Sequence, residues 1–110
     1  MLVQTEVTPI HNSIMFLPGK TVSKKGSFEI TKKDETQNEL VKNLLSIKGV
    51  EGIFLSNDFI SVNKYDDISW DQIKHIIISH INEYYADGNE SIINKANALN
   101  IGDYNETPPL

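Results

Sequence analysis

Two helix-start patterns with a hairpin pattern between them constrain the fold of this chain more than any other feature of its sequence. Thr36 and Glu39 have the spacing of a capping box, in which two side chains three residues apart satisfy each other's backbone N–H groups. Ser69 and Gln72 repeat this spacing. The sequence therefore predicts two amphipathic helices. Their apolar residues, at helical spacing, are Leu40, Val41, Leu44, Leu45 and Ile47 in the first, and Ile73, Ile76, Ile77, Ile81 and Tyr84 in the second.

In the segment between the two helices, apolar residues recur at alternate positions, which is typical of β-strands. It follows Gly49, the expected end of the first helix, and covers residues 50–64. Ser56, Asn57 and Asp58 interrupt the alternation, and Asn and Asp favour turns because they bond their own backbone. We expect a β-hairpin whose inward residues are Ile53, Leu55, Ile60 and Val62.

Three further strands are predicted before the first helix, over residues 2–6, 13–17 and 27–31. Thr8-Pro9 and Pro18-Gly19 separate the first two from their neighbours, because proline and glycine favour turns. The segment 13–17 is apolar at every position after its serine, which predicts a central strand covered on both faces. The order of elements indicates an α+β fold, with a largely antiparallel sheet of four to five strands and two helices packed on one face.

Composition excludes several classes of function. The chain has no cysteine, so it forms no disulfide and supplies no thiolate to zinc or to an iron–sulfur cluster. Its ten lysines, absence of arginine and net charge of −5 argue against a nucleic-acid partner. No apolar run approaches the length of a membrane span, and the N-terminus lacks the pattern of a signal peptide. A cytoplasmic protein is the simplest interpretation.

No catalytic constellation emerges from the residues, and we expect a protein that is not an enzyme. His75 and His80 are five residues apart, which does not match the i, i+4 spacing of a helical metal pair. Gly19-Lys20-Thr21 ends like a phosphate-binding loop, but Ile14 stands where that motif requires its first glycine. One enzymatic alternative stays open, a small hydrolase or transferase that uses His11 with Asp58.

The helical spacing of apolar residues weakens after Gly88, which is the expected end of the second helix. Residues 89–110 become polar and contain two prolines near the end, which is typical of a linker. We therefore predict a domain over residues 1–88 and a polar linker or tail over 89–110.

Two segments resemble the N-terminal domain of Nfu-type iron–sulfur cluster scaffold proteins over residues 2–88. The first reads Gln4-Thr5-Glu6-Val7-Thr8-Pro9 and continues through Asn12 to Phe16-Leu17-Pro18-Gly19. The second runs from Gly49-Val50-Glu51-Gly52-Ile53-Phe54 to Asp58-Phe59-Ile60-Ser61-Val62-Asn63-Lys64. The chain departs from the family at Ile10-His11, where Asn-Pro is usual, and at Met15, where lysine is common. These departures put contacts of the first loop in doubt and leave the fold in place.

The resemblance implies a non-catalytic domain of a cluster carrier that recognises client or assembly proteins. In such carriers a second domain with a Cys-x-x-Cys motif holds a [4Fe–4S] cluster, so no cofactor is expected in this chain itself. We expect a truncated protein or a natural single-domain relative, monomeric and without nucleic-acid or membrane partners. Because Met1 directly precedes the first motif, a bacterial cytoplasmic protein is favoured over an imported one.

The candidate partner-binding residues are polar or rigid groups beside the predicted turns. Phe59 is out of phase with Ile60 and Val62, so it either faces outward or packs under a helix. The alternative to a carrier domain is a stand-alone interaction adaptor unrelated to cluster transfer. In either case the residues predicted to contact a partner are Asn12, Phe16, Pro18, Asn57, Asp58 and Phe59.

Overall fold

A computed structural model of the chain describes residues 3–93 and contains a five-stranded antiparallel sheet with two α-helices. The predicted α+β class is confirmed. The strands lie in the order β1-β2-β5-β4-β3. In chain order the elements are β1 Gln4–Val7, β2 Ser13–Leu17, β3 Phe28–Ile30, a 3-10 turn at Lys33–Glu35, α1 Glu39–Leu45, β4 Val50–Leu55, β5 Ile60–Lys64 and α2 Trp70–Ala86.

The core lies between the helices and one face of the sheet. Strand residues alternate between faces, so side chains that are paired across strands share a face. One cross-strand row is Ile14, Val62, Ile53 and Ile30, and the next is Phe16, Ile60, Leu55 and Phe28. All of these except the half-buried Phe28 are buried, in the same cluster as the inward residues of the helices, which are Leu40, Val41, Leu44, Ile73, Ile77, Ile81 and Tyr85.

The first helix begins two residues later than its capping box predicted. Asn38 is the N-cap, and its Oδ1 accepts a hydrogen bond from the N–H of Val41 at 3.0 Å. The Oγ1 of Thr36 instead accepts from the N–H of Asn38, at 3.0 Å. Thr36 thus holds the bend before the helix, and Asn38, whose residue type is a strong N-cap in its own right, starts it.

The second helix begins as predicted. Ser69 is the N-cap, and its Oγ accepts from the N–H of Asp71 at 3.1 Å. The Oε1 of Gln72 accepts from the N–H of Ser69 at 3.0 Å, which completes the capping box. Within residues 3–93, neither helix has the length and apolar character that a membrane span requires.

The sequence predicted that strand β2 is central and covered on both faces. The structure places a strand on each side of β2, but the helices cover only one of its faces. It pairs with β1 and β5, and β5 is the central strand. Ile14 and Phe16 face the helices and are buried, whereas Met15 and Leu17 lie on the opposite face and are only partly buried. An apolar strand therefore marks both the core and a partly exposed apolar surface on the far side of the sheet.

Gly49 ends a turn and is not the residue that directly terminates α1. The helix is capped at Ser46, and the N–H of Val50 then bonds the carbonyl of Ile47 at 3.1 Å. Gly49 has φ +103°, and a Cβ there would lie 2.7 Å from the Cγ1 of Ile68. The position therefore needs glycine for its backbone conformation and for its close packing.

Residues 89–93 pack against the rest of the domain, although the sequence predicted that a linker starts at residue 89. Ile92 and Ile93 are 0% and 1% exposed, and their N–H groups lie 2.8 and 3.0 Å from the carbonyl oxygen of Val22. Ile93 also forms a parallel bridge with Ser23. The first residues of the predicted tail thus extend the core. The rest of that tail, residues 94–110, lies outside the described residues, and its nature as a linker stays a prediction.

Two tyrosines at the end of α2 attach this segment and the loop after β2. The hydroxyl of Tyr84 donates to the carbonyl of Ser91 at 2.7 Å and accepts from the Nδ2 of Asn38 at 3.0 Å. The hydroxyl of Tyr85 donates to the carbonyl of Thr21 at 2.8 Å. Burial, and secondarily the neighbouring Tyr84, raises the pKa of Tyr85 well above its usual value.

The buried Tyr85 predicts a loss of stability in alkali. Above about pH 10 the unfolded chain releases the tyrosine proton while the folded chain keeps it, so the free energy of unfolding falls as pH rises. Tyr85→Phe should cost about 1 kcal/mol near neutrality, for the lost hydrogen bond, and make the alkaline decline less steep. Urea unfolding of both proteins, followed by circular dichroism across this pH range, measures the effect. A parallel decline in the two proteins would contradict it.

Candidate protein-binding surfaces

The six residues predicted to contact a partner lie in separate parts of the fold. Strands β2 and β5 are antiparallel, with Ser13 opposite Asn63 and Phe16 opposite Ile60. The loop before β2 and the turn before β5 therefore lie at opposite ends of this strand pair. Two of the six residues are buried, and one lies on the sheet face away from the helices. The set comprises Asn12 at one end, Asn57 and Asp58 at the other, the buried Phe16 and Pro18, and Phe59 on the far face.

Phe16 and Pro18 are not presented to a partner. Phe16 is 0% exposed, and its ring centroid lies 6.4 Å from that of Trp70 at the start of α2. Pro18 is buried as well. Both faces of β2 are apolar, so its sequence did not reveal which face the helices cover. The structure corrects the assignment of Phe16, which is a core residue.

Asn12 organises the end of the sheet through the buried Lys64. The Nζ of Lys64 donates to the Oδ1 of Asn12 at 2.8 Å and to the carbonyl of Tyr65 at 3.3 Å, and it lies 5.8 Å from the centre of the Trp70 ring. Lys64 is only 7% exposed, so its ammonium depends on these acceptors and on the aromatic face. The Nδ2 of Asn12 donates to the Oδ1 of Asp66 at 3.2 Å. Both polar atoms of the Asn12 side chain are thus engaged inside the protein.

The enzymatic alternative does not fit the fold. His11 lies 3.6 Å from Asp66 at the surface, with both side chains more than 80% exposed. Asp58 belongs to the turn at the opposite end of the β2–β5 pair, so it cannot act together with His11. Within residues 3–93, no group of three or more histidine, cysteine, aspartate or glutamate side chains is placed to hold a metal ion.

Asn57 fixes the loop that follows β2. Its carbonyl accepts from the N–H groups of Val22 and Ser23 at 2.7 and 3.3 Å, and its Nδ2 donates to the carbonyl of Ser23 at 3.2 Å. Asp58 beside it is exposed. It borders a shallow depression of about 310 Å³ that Lys20 and Leu17 also line. Asn57 therefore has a structural role, and Asp58 is the freer of the two.

Phe59 lies on the sheet face that the helices do not cover. Its ring centroid is 6.1 Å from that of Phe54, at an interplanar angle of 31°. The register places Met15 and Leu17 of β2 on the same face as Phe54 of β4, and Ser61 of β5 lies between these two strands on that face. We call this surface the open face. Its apolar members, all partly exposed, are Met15, Leu17, Phe54 and Phe59.

One cross-strand row spans the whole open face and ends in a carboxylate at each edge. Glu6 pairs with Met15, Met15 with Ser61, Ser61 with Phe54, and Phe54 with Glu29. Both glutamates are exposed. On the β3 side a cavity of about 280 Å³ adjoins this row, lined by Glu29, Thr31, Glu51, Gly52 and Asn63 together with Ile10, Asn12 and Lys64.

A larger groove of about 730 Å³ lies between the start of α1 and the end of α2. Four carboxylates line it, and the last turn of α2 has no basic residue. Glu90 is 3.7 Å from Lys24, so part of its charge is balanced within the chain. The carboxylates belong to Glu39, Glu83, Asp87 and Glu90.

The arrangement of strands and helices agrees with the protein family to which the sequence is similar. The family described as scaffold protein Nfu/NifU N terminal matches residues 3–88. The chain belongs to this family. The Nfu N-terminal domain thus accounts for nearly all of the residues that the structure describes, and the resemblance drawn from the two motifs is confirmed.

Named relatives and solved structures support the assignment. NifU-like protein 4, mitochondrial, from Arabidopsis thaliana is 38% identical over 89 residues, which are 80% of this chain and 31% of the plant protein. The human NFU1 iron-sulfur cluster scaffold homolog, mitochondrial, is 33% identical over 90 residues, or 80% of this chain and 35% of that protein. A NifU-like protein from Saccharomyces cerevisiae superposes with a TM-score of 0.70 at 26% identity, covering 84% of each chain.

A Staphylococcus aureus protein solved by X-ray crystallography has the same fold over 99% of its own chain and 74% of this one, with a TM-score of 0.67 and 28% identity. The curated plant and human relatives are longer, and this Nfu N-terminal domain spans about a third of their length.

Proposed function

We propose that this Nfu N-terminal domain serves iron–sulfur cluster biogenesis as a recognition domain that binds client or assembly proteins. The observation that carries the proposal is the family match over residues 3–88, together with a human relative whose name describes a cluster scaffold. The chain has no cysteine, so it supplies no thiolate to the cluster. In this proposal the [4Fe–4S] cluster is cargo held by a Cys-x-x-Cys domain, and this domain contributes protein contacts.

The geometry supports a binding role over a catalytic one. At the end of the sheet near His11, the polar side chains of Asn12, Lys64 and Asp66 are hydrogen-bonded to one another. The length of the β2–β5 strand pair separates His11 from Asp58. The open face instead offers paired aromatic rings and further apolar side chains on a rigid sheet. Aromatic side chains held on a rigid surface are common anchors of protein interfaces.

We propose a bacterial cytoplasmic setting for this domain. The plant and human relatives carry the word mitochondrial in their names. A Staphylococcus aureus protein that has the same fold and is 28% identical in sequence supports the bacterial part of this proposal.

Deleting the coding sequence for residues 3–93 in the source organism tests the function. We expect the activities of enzymes that contain [4Fe–4S] clusters to fall several-fold, because delivery of the cluster loses its recognition step. Enzymes of the same pathways that contain no cluster serve as controls and should keep their activity. Iron content of the purified cluster enzymes gives a second readout.

Equal loss in both classes of enzyme would indicate a general growth defect and contradict a role in cluster delivery. No loss in either class, with a protein partner still captured by the purified domain, would support the stand-alone adaptor. If a variant of the domain that does not fold restored the enzyme activities, that result would also contradict the proposal, because recognition requires the folded surface.

A further inference from the structure

We infer that the open face binds an amphipathic helix of a partner protein, one with basic residues at both ends of its apolar stripe. The inference rests on the proposed function in one respect, namely that the partners of this domain are proteins. It adds where the partner binds and what chemistry the partner presents.

The centre of the open face provides the apolar contact. Phe54 and Phe59 form an aromatic pair, and Met15 and Leu17 extend it across the neighbouring strand. The hydroxyl of Ser61 does not interrupt this patch with an unmet polar group, because it is buried and hydrogen-bonded to the Oγ of Ser13 at 2.9 Å. Methionine and phenylalanine side chains are adaptable and rigid anchors respectively, and both are frequent at interface centres.

The edges of the open face provide the charges. Glu6 and Glu29 end the row that crosses all five strands, and Glu51 joins Glu29 in the cavity beside β3. Four inter-strand spacings separate the two edges, which amounts to roughly 19 Å. A helix covers that distance in about 13 residues. A lysine or arginine at each end of such a helix would therefore meet a carboxylate at each edge.

The same charges disfavour other occupants. A second copy of this chain on the open face would bring its own Glu6, Glu29 and Glu51 close to the same residues of the first copy, which places like charges together. Residues 94–110 of the chain contain Lys95 but also Asp103 and Glu106, so this segment is not basic at both ends. A helix lying on the open face would give the sheet a helical layer on each side, a common arrangement in proteins.

Two synthetic peptides test the inference against the full chain. Each has about 14 residues and the same leucine stripe at helical spacing, with lysine pairs at both ends in one and glutamate pairs in the other. Binding is measured by fluorescence anisotropy, and the contact surface by amide chemical-shift changes. We expect the lysine peptide to bind at least roughly tenfold more tightly, with shifts confined to β1, β2, β5, β4 and β3 residues of the open face.

Protein variants separate the open face from the general negative charge of the chain. Glu6→Gln with Glu29→Gln should weaken the lysine peptide about three- to tenfold, because two charge pairs are lost. Phe59→Ser should weaken it more, roughly thirtyfold, as expected for an aromatic anchor. Asp71→Asn with Glu83→Gln removes the same charge from α2 and should leave the affinity within about twofold.

Several outcomes would overturn the inference. Equal binding of both peptides, shifts centred on the α1–α2 groove, or a larger effect of the α2 variant than of the Glu6 and Glu29 variant would each do so. If the peptides fail while deletion of residues 3–93 still impairs cluster enzymes, this inference is wrong and the proposed function stands. If deletion has no effect while the lysine peptide binds the open face, the binding surface stands without the cluster role.

Discussion

Replacing Phe16 with alanine is expected to lower the free energy of unfolding by about 3–5 kcal/mol. The side chain is 0% exposed, it is paired with Ile60 across β2 and β5, and its ring faces Trp70 at the start of α2. Removing it opens a cavity between the sheet and the second helix. Because small domains are stable by about 5–15 kcal/mol in total, this loss is a large fraction of the stability of the domain. Urea unfolding followed by circular dichroism measures the change.

Met15→Ala is the matched control for Phe16→Ala. Met15 is the next residue along β2 but lies on the open face and is only partly buried. We expect its replacement to cost no more than about 1 kcal/mol, since the site leaves no enclosed cavity. Comparable losses in the two variants would mean that the helices do not define the core as described. A loss below about 1 kcal/mol for Phe16→Ala would return Phe16 to the list of surface residues available to a partner.

A chain that ends at Gly88 is expected to be less stable than one that ends at Ile93 by about 3–6 kcal/mol. The estimate follows from two fully buried isoleucines, each of which contributes about 1.5–3 kcal/mol on leaving water. The shorter chain also loses the hydrogen bond between the Tyr84 hydroxyl and the carbonyl of Ser91, and the one between the N–H of Lys24 and the carbonyl of Ile93. Both chains should be compared by urea unfolding with the full chain.

The double variant Ile92→Ala with Ile93→Ala in the full chain controls for the new chain end. It should be destabilised by a similar amount, because the same apolar side chains leave the core. Identical unfolding midpoints for the chains ending at 88 and at 93 would show that the domain is complete at residue 88. That result would restore the boundary predicted from sequence.

Local signals in the sequence were sufficient for the second helix and much of the sheet. The capping box of Ser69 and Gln72 operates within three residues, so no distant contact is needed to form it. Asn38 shows the limit of such signals, because it displaced Thr36 as the cap of the first helix. Asn38 also accepts the N–H of Val41 and donates to Tyr84, a residue 46 positions away, and only the packing of α1 against α2 brings that partner near.

The sequence by itself determined the α+β class, the strand segments and the family, because alternation, turn residues and motif spacing are all local properties of the chain. The tertiary structure alone decided which face of β2 the helices cover, and so made Phe16 a core residue and Met15 a surface one. It also decided that Glu6 and Glu29 end a single row, since strand register depends on pairings between segments far apart in sequence. The burial of Ile92 and Ile93 is of the same kind, because their partner Val22 lies about 70 residues earlier in the chain.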